Sequence, residues 1–217
     1  MKDYTTIIFD LDGTLVHSAP DLQFAVNAAL AENGRRPLDL DVVTSFIGDG
    51  VEKLVERSLS ATGGVTDELL SRALVRFHQV YEGNLTSLTR PYPGVVDCLN
   101  RLRSQGVTMG ICTNKPTGPA RAICDQLAIS QYFDAIMGSE PGTFKKPDPT
   151  PLLACVSALG GHLGTAIFVG DSDVDVQTAR SAGIALRFFS GGYHKVMPTD
   201  VLAEHCFDDW TTVAMAD

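Results

Sequence analysis

The sequence predicts an α/β fold in which a parallel sheet is covered by helices on both faces and is interrupted by one α-helical insertion. Short apolar runs alternate with helical patterns along much of the chain, which is typical of a parallel sheet. The alternation stops between about residues 17 and 88, where every pattern is helical. The 217 residues, 44% hydrophobic and 20% charged, suffice for one core with a smaller satellite domain.

Five short β-branched or apolar runs are predicted to be buried strands. They are residues 5–9, 107–112, 134–137, 166–169 and 184–189. The helices between them are predicted at residues 94–104, 118–127, 149–159 and 173–182. Gly106, Gly160 and Gly183 stand where glycine commonly ends a helix.

The insertion is predicted to contain four helices. They span residues 21–32, 39–46, 51–61 and 67–83. Prolines at both junctions (Pro20, Pro91 and Pro93) suit stiff connections between parts that can hinge. We therefore expect residues 1–16 and 89–217 to form the α/β core and residues 17–88 to form the helical insertion.

Charge and composition argue against several classes of protein. A net charge of -9 and a pI near 4.9 disfavour binding to nucleic acid or to an anionic membrane. The chain has no signal-peptide pattern at its start and no apolar stretch near the ~18 residues of a membrane span, so we expect a cytoplasmic protein. Five widely spaced cysteines without ligand spacing indicate reduced thiols rather than a disulfide framework or zinc site. A monomer and a homodimer are both compatible with the sequence.

The first predicted strand ends in two carboxylates, Asp10 and Asp12, which are followed by Gly13 and Thr14. Strand side chains repeat every two residues, so both carboxylates project into one crevice. One of them can hold a proton while the other stays ionised, which suits a nucleophile at Asp10 and a general acid/base at Asp12. Gly13 allows a tight turn beside a bound anion, and we expect Gly13 and Thr14 to bind the substrate. Taken alone, the pair is equally compatible with a turn and a helix cap.

Three further polar stretches follow predicted strands. Thr113 and Asn114 offer neutral donors for phosphate oxygens, and Lys146 precedes a proline that holds it in an extended backbone facing the crevice. The stretch 169–175 carries Asp171, Asp173 and Asp175, whose oxygens suit Mg²⁺. That stretch is also compatible with a helix N-cap or with a loop that weakly resembles a calcium-binding loop. Four such stretches in this order, each at a strand end, predict one site at the carboxyl edge of the sheet.

With these stretches the chain resembles the haloacid dehalogenase-like phosphatase superfamily over nearly its whole length. The four motifs of that superfamily map onto Asp10 with Asp12, Thr113, Lys146, and Asp171 with Asp175. The resemblance implies a Rossmann-like core, a helical cap formed by the insertion, obligatory Mg²⁺ and an aspartyl-phosphate intermediate. A second acid at Asp12 argues against the dehalogenase branch.

The resemblance also implies a role for each motif residue. Asp10, the backbone carbonyl of Asp12, and Asp171 would hold the metal, with Asp175 supporting it. Lys146 would neutralise the charge between nucleophile and phosphate, and Thr113 would hold a phosphoryl oxygen. Asp12 would protonate the leaving oxygen and then activate water.

Within the superfamily, the stretches 18–22, 46–51, 89–95 and 113–116 resemble bacterial phosphoglycolate phosphatases. This implies 2-phosphoglycolate, a small anionic metabolite, as the substrate. The rivals are the same chemistry on a sugar phosphate or pyrophosphate, a phosphomutase, and a phosphate- or metal-binding module without turnover. Two departures affect substrate identity more than chemistry: His17 stands where an aspartate is usual, and Asp173-Val174 replaces a common Arg-Asn pair.

The insertion contributes a candidate site for the substrate carboxylate. Gly48, Asp49 and Gly50 precede a predicted helix whose N-terminal N–H groups can bind an anion. Lys53 and Arg57, one turn apart, can add positive charge. The alternative is that both pair with Glu52 and Glu56, and that Asp49 caps the helix.

Overall fold

The computed structural model describes residues 4–194, 196–199 and 201–213. These residues form two compact units. One unit holds the described residues up to His17 together with those from Pro91 onward, and the other is Ser18–Arg90.

The described residues contain eight strands and eight α-helices, joined in part by short 3-10 turns. The strands are β1 Thr6–Phe9, β2 Val16–His17, β3 Arg90–Pro91, β4 Thr108–Pro116, β5 Ala135–Ser139, β6 Ala166–Gly170, β7 Ala185–Phe189 and β8 Cys206–Phe207. The helices are α1 Ala19–Glu32, α2 Leu40–Thr44, α3 Val51–Ser60, α4 Asp67–Glu82, α5 Val95–Ser104, α6 Thr117–Gln126, α7 Thr150–Ala158 and α8 Asp173–Ala182.

Six strands of the first unit form a parallel sheet in the order β5-β4-β1-β6-β7-β8. Every residue of β1 and β6 is buried, as expected for strands covered on both faces. Phe9 on β1 lies opposite Ile111 on β4 and Val169 on β6, so the three strands are in register at the end of β1, and β4 continues to Pro116. The predicted α/β fold with a parallel sheet is confirmed.

Alternating side chains of the strands supply two apolar cores, one on each face of the sheet. Phe9 and Ile111 point to the face covered by α5 and α6, where Trp210 is also buried. Ile8 and Phe168 point to the face covered by α7 and α8. Close packing on both faces holds the strand ends in register, and the polar residues that follow them inherit that register.

Several element boundaries differ from the predictions. Strand β4 runs to Pro116, four residues beyond its predicted end, because Pro116 pairs with Ser139 after a register shift that begins at Cys112. Helix α2 is shorter than the predicted span 39–46. The two-residue strands β2, β3 and β8 were not predicted, since two residues are too few to show a period of two.

The second unit, Ser18–Arg90, contains the four helices α1 to α4. Its two ends are joined by Asp21, a buried carboxylate that accepts hydrogen bonds from Leu88 N, Thr89 N and Thr89 Oγ1 at 2.7 to 3.0 Å. Helix α4 buries Phe77 and Tyr81, whose rings stack 5.3 Å apart. Among the described helices, none is long and apolar enough to span a membrane.

All five cysteines carry free thiols, as predicted. Four of them are buried in the first unit, and burial raises the pKa of the Cys112 thiol to about 12. A thiol with so high a pKa is not a nucleophile at neutral pH.

Candidate active site

The candidate site lies at the carboxyl ends of β1, β4 and β6. The chain passes from β1 to β4 and β5 on one side, and then returns to β6 on the other side of β1. The strand order therefore reverses at β1, and ligands of open parallel sheets bind in the crevice at such a point. Asp10 and Asp12 follow β1, Thr113 lies in β4, and Asp171 follows β6.

Three carboxylates meet in this crevice. Asp10, Asp171 and Asp175 each offer an oxygen, and these oxygens all lie within 4.8 Å of one another. All three side chains are buried. Lys146 Nζ lies 2.8 Å from Asp10 Oδ1 and 2.6 Å from Asp175 Oδ1, so one ammonium group bridges two of the carboxylates. The structure thus brings together three of the four sequence motifs.

Burial controls the electrostatics of the cluster. It raises the pKa of Asp10 to about 6; the negative charge of Asp175 adds to the shift, while Lys146 opposes it. Burial and the charges of Asp175 and Asp10 likewise raise the pKa of Asp171. Burial opposes the charged form of Lys146, but Asp10 and Asp175 outweigh it and raise the pKa of the ammonium group. The lysine therefore stays protonated, and the carboxylates still lack positive charge.

Neutral donors hold Asp171 from two directions. Thr14 Oγ1 donates to Asp171 Oδ1 at 2.5 Å, and the backbone N–H of Tyr193 donates to Asp171 Oδ2 at 2.6 Å. Gly13 lies against the same carboxylate with φ +89°; a Cβ at this position would come within 2.4 Å of Asp171 Oδ2. Gly13 and Thr14, both predicted as substrate-binding residues, therefore contact a carboxylate of the cluster directly.

Asp175 is held by the start of its own helix. Ser172 is the N-cap of α8, and its side chain exchanges capping hydrogen bonds with Asp175. Asp175 Oδ2 also accepts from Ser172 Oγ at 2.6 Å and from Asp171 N at 3.2 Å, while its Oδ1 faces Lys146. Both oxygens of Asp175 thus have protein donors. Asp175 takes part in the cap of α8 and in the carboxylate cluster, so both predicted interpretations of this stretch apply.

The donor set of the cluster fits a hard divalent cation. Its ligands are carboxylate oxygens, which Mg²⁺ prefers, and they converge in a buried place. Asp10 Oδ1 is buried at ion-pair distance from Lys146, but it accepts no well-directed hydrogen bond from the residues that the structure describes. An oxygen in that condition is suited to a metal ligand. Asp10 Oδ1 is therefore the best placed of these oxygens to coordinate a metal, because both oxygens of Asp171 and both oxygens of Asp175 already face protein donors.

Asp12, the second carboxylate of the first motif, is paired with a lysine to which the four motifs assign no role. Lys115 Nζ lies 3.1 and 2.9 Å from the two oxygens of Asp12. Lys115 belongs to β4, close to Thr113 Oγ1, which accepts the Lys115 backbone N–H at 3.3 Å. Asn114 exchanges two hydrogen bonds of 2.9 Å with the backbone of Lys146. This amide therefore fixes the loop that carries Lys146.

The predicted residues of the insertion lie around the start of α3 in the second unit. Gly50 is its N-cap with φ +92°, and Asp49 pairs with Arg57 at 2.5 Å rather than capping the helix. Lys53 pairs with Glu56 at 2.6 Å, as the alternative prediction had it. The alternative also included a pair with Glu52, but Arg57 pairs with Asp49 instead. Gly48 has φ +124° and open space at its Cα.

The two departures from the family pattern lie at different distances from the cluster. His17 Nδ1 lies 3.1 Å from the hydroxyl of Tyr193, the residue whose backbone N–H supports Asp171. Burial lowers the pKa of His17, so its ring is neutral at neutral pH. Asp173 is exposed in the first turn of α8, where a negative charge is favourable.

Comparison with known proteins agrees with this geometry. The family model described as haloacid dehalogenase-like hydrolase matches residues 4–183. The chain belongs to the haloacid dehalogenase-like hydrolase family. The family match spans β1, β4 and β6 and the loop after β5 that carries Lys146, and so confirms the resemblance identified from the four motifs.

Individual members of this haloacid dehalogenase-like family are similar over nearly the whole chain. The phosphoglycolate phosphatase of Cereibacter sphaeroides is 44% identical over 200 residues, which are 92% of this chain and 90% of that one. The phosphoglycolate phosphatase of Caulobacter vibrioides is 41% identical over 189 residues, 87% of this chain and 80% of that one. A crystal structure described as a predicted phosphoglycolate phosphatase from Haemophilus somnus matches with a TM-score of 0.89 at 31% identity, covering 97% of this chain and 96% of that one.

Proposed function

We propose that this protein is a Mg²⁺-dependent phosphatase that hydrolyses 2-phosphoglycolate to glycolate and phosphate. The observation that carries the proposal is the buried cluster of Asp10, Asp171 and Asp175, bridged by Lys146 at the point where the strand order reverses. The substrate is supported by the names of relatives that are 44% and 41% identical over most of their length.

The metal would be held by Asp10, Asp171 and the backbone carbonyl of Asp12, with Asp175 as a supporting residue. When bound, Mg²⁺ supplies positive charge to the phosphoryl oxygens. Thr14 and the Tyr193 N–H orient Asp171 for this task, and Lys146 orients Asp175. The residues around the cluster thus fix the ligands before any substrate arrives.

The reaction proceeds in two displacements at phosphorus. A carboxylate oxygen of Asp10 attacks the phosphorus, the bond to the ester oxygen breaks, and Asp12 gives its proton to that leaving oxygen, which releases glycolate. Asp12, now a carboxylate, takes a proton from water; the water oxygen attacks the phosphorus of the aspartyl-phosphate, which releases phosphate and regenerates the Asp10 carboxylate. Catalysis of this kind depends mainly on positioning and on charge neutralisation.

Lys146, Thr113 and Asn114 support the transferred group from the β4 side. Lys146 neutralises charge between the Asp10 carboxylate and the phosphoryl oxygens, and its protonated state is secured by two carboxylates. Thr113 is buried within β4 and would offer its hydroxyl to a phosphoryl oxygen. Asn114 acts by fixing the Lys146 backbone.

The helical unit Ser18–Arg90 is proposed to act as a cap, which corresponds to the predicted range 17–88. A cap would exclude water during the first displacement and would help to select the leaving group. Its candidate contacts to the substrate are Gly48, Asp49 and Gly50 with the basic pair Lys53 and Arg57. That pair is already engaged by Glu56 and Asp49, so binding substrate would require it to exchange partners.

The test is a steady-state measurement of kcat/KM across 2-phosphoglycolate, several sugar phosphates, pyrophosphate and a chromogenic phosphomonoester, with Mg²⁺ and again with EDTA. We expect turnover only with the metal, and a preference for phosphoglycolate of about tenfold or more, which is about 1.4 kcal/mol of transition-state binding. Asp10→Asn should abolish turnover, whereas Asp173→Asn, the same change at an exposed aspartate beside the site, should leave it near wild type.

Each other outcome of this panel has a distinct meaning. A flat or sugar-biased profile would reject phosphoglycolate and keep the aspartate mechanism. Activity in EDTA would reject the metal assignment, and normal turnover by Asp10→Asn would reject the nucleophile. Silence of the wild-type protein on every substrate would reject the enzyme in favour of a binding module.

A further inference from the structure

A second buried lysine lies in the crevice and has no part in the mechanism described so far. Lys115 Nζ contacts both oxygens of Asp12 at 3.1 and 2.9 Å, and the two side chains are 3% and 13% exposed. Among the described lysines and arginines, only Lys115 and Lys146 are buried. Removing an ammonium group from water is unfavourable, so a buried lysine calls for an explanation.

The position of Lys115 is set by its backbone. Strand β5 packs so closely that a Cβ on Gly138 would come within 2.4 Å of the Lys115 carbonyl oxygen. Ser139 Oγ donates to the neighbouring Asn114 carbonyl at 2.9 Å, and the Asn114 side chain is bonded to the Lys146 loop. The backbone of Lys115 is therefore held near the end of β4, and its flexible side chain reaches Asp12.

Proton transfer by Asp12 needs no lysine beside it. Lys146 already lies between two carboxylates of the cluster, where it offsets their charge. Lys115 instead brings positive charge to the carboxylate that faces the leaving group, because Asp12 is the residue proposed to protonate the leaving oxygen. The two buried lysines thus pair with different aspartates of the first motif: Lys146 with Asp10, the proposed nucleophile, and Lys115 with Asp12, the proposed acid.

We propose that Lys115 binds the negatively charged tail of the leaving group and so selects phosphate esters of short hydroxy acids. The inference rests on the proposed function, which places Asp12 at the ester oxygen. In a phosphorylated 2-hydroxy acid, one carbon separates that oxygen from the carboxylate. A cation within hydrogen-bond distance of Asp12 is therefore within reach of the substrate carboxylate.

The chemistry of the ammonium group suits this exchange. It has three N–H donors and no fixed planar geometry, so it can turn toward a second carboxylate without leaving the first. A charge-assisted hydrogen bond of this kind is worth about a 10- to 100-fold difference in binding. An ester with a neutral tail of the same shape would leave Lys115 on Asp12 and would gain nothing from it.

The test compares kcat/KM for 2-phosphoglycolate with kcat/KM for phosphoglycolamide, in which a neutral amide replaces the carboxylate. Lys115→Met should reduce the preference for phosphoglycolate about 10-fold or more, mainly through the carboxylate substrate. Lys145→Met, the same change at an exposed lysine of the chain, should keep the wild-type preference. Trp210 fluorescence checks folding, and Lys115→Gln, which retains a hydrogen-bond donor for Asp12, replaces the Met variant if that one does not fold.

Three outcomes would overturn the inference. If Lys115→Met lowers kcat/KM equally for both substrates, the lysine only holds Asp12 in place. If the preference survives in Lys115→Met but is lost in Lys53→Met or Arg57→Met, the insertion recognises the carboxylate. If the wild-type enzyme hydrolyses both esters without preference, there is no selectivity for Lys115 to confer. In all three cases the protein remains a phosphatase, whereas an inert wild-type protein would refute the proposed function itself.

Discussion

Replacing Lys146 with methionine removes the only positive charge that bridges two buried carboxylates of the described cluster. Its ammonium group lies 2.8 Å from Asp10 Oδ1 and 2.6 Å from Asp175 Oδ1. Methionine keeps much of the aliphatic volume but none of the charge. The variant therefore isolates the electrostatic contribution of Lys146 from its packing, apart from a cation–π contact with Phe168 at 5.2 Å.

The expected loss of stability is large. Removing one partner of a buried ion pair costs about 3–5 kcal/mol, because the remaining charge is left without compensation. Domains of this size are stable by about 5–15 kcal/mol, so the variant would lose a substantial part of the free energy of unfolding. Mg²⁺ should restore part of it by binding the same carboxylates, since a ligand that binds only the folded state stabilises that state.

The loss should depend on pH in a definite direction. The pKa of Asp10 is about 6 in the folded protein against an ordinary value of 3.8, so ionising Asp10 already destabilises the fold by about 3 kcal/mol above pH 6. Lys146 lowers that pKa, and its removal must raise it further. In the variant, Asp10 holds a proton at pH 5, whereas at pH 8 it must either ionise without Lys146 or hold that proton far above its ordinary pKa. The difference from wild type should therefore be smaller at pH 5 and larger at pH 8.

The measurement is urea unfolding in EDTA at pH 5 and pH 8, followed by the fluorescence of Trp210. It is the only tryptophan of the chain and is buried in the core of the α/β unit, so its emission reports on that core. Lys145→Met is the matched control, because Lys145 is the exposed neighbour and makes no comparable ion pair among the described contacts. A Lys146→Met protein as stable as wild type at pH 8, or an equal loss at both pH values, would refute the electrostatic argument.

Two further predictions concern the support of the site and of the insertion. Gly13→Ala should lower the free energy of unfolding by about 2–4 kcal/mol, because of the left-handed backbone and a Cβ placed 2.4 Å from Asp171 Oδ2, and should weaken Mg²⁺ activation. The control Gly34→Ala, with φ +65° and open space, should cost only about 1–2 kcal/mol and keep activity. Equal effects of the two substitutions would count against the contact between residue 13 and Asp171. Asp21→Asn should lower the melting temperature of the helical unit, followed by circular dichroism, because it weakens three charge-assisted hydrogen bonds worth roughly 1.5–3 kcal/mol each. In the same measurement Asp39→Asn, at an exposed N-cap without a side-chain hydrogen bond, should have little effect.

The meeting of the motifs could be predicted from the sequence because it depends on few facts. Asp10 and Asp171 each follow a strand, Thr113 lies in the carboxyl half of another, and the carboxyl ends of parallel strands share one edge of a sheet. The order of the strands was not predicted, but the convergence does not require it. Only the level register of β1, β4 and β6 is needed, and the apolar packing of both faces provides it.

The contacts that the sequence did not predict come from backbone geometry. Tyr193 supports Asp171 through its N–H, a group that almost every residue carries, so no residue type marks the position. Lys115 follows polar residues that indicate a turn, and only the extension of β4 past a register shift buries it. The alternative pairing of Lys53 and Arg57 with Glu52 and Glu56 holds only for Lys53 with Glu56, which lies one turn away, since adjacent residues on a helix do not face each other.

The two buried lysines resolve only part of the conflict between the acidic crevice and an anionic substrate. Asp10, Asp12 and the two aspartates after β6 are four carboxylates, and Lys115 and Lys146 offset only half of their charge when all are ionised. A phosphate dianion would be repelled by such a crevice without a divalent cation. Burial raises the pKa values of Asp10 and Asp171, and the neighbouring carboxylates raise them further. The affinity for phosphate should therefore depend on metal more steeply than the stability of the fold does, because the two lysines offset only half of the carboxylate charge that the phosphate meets.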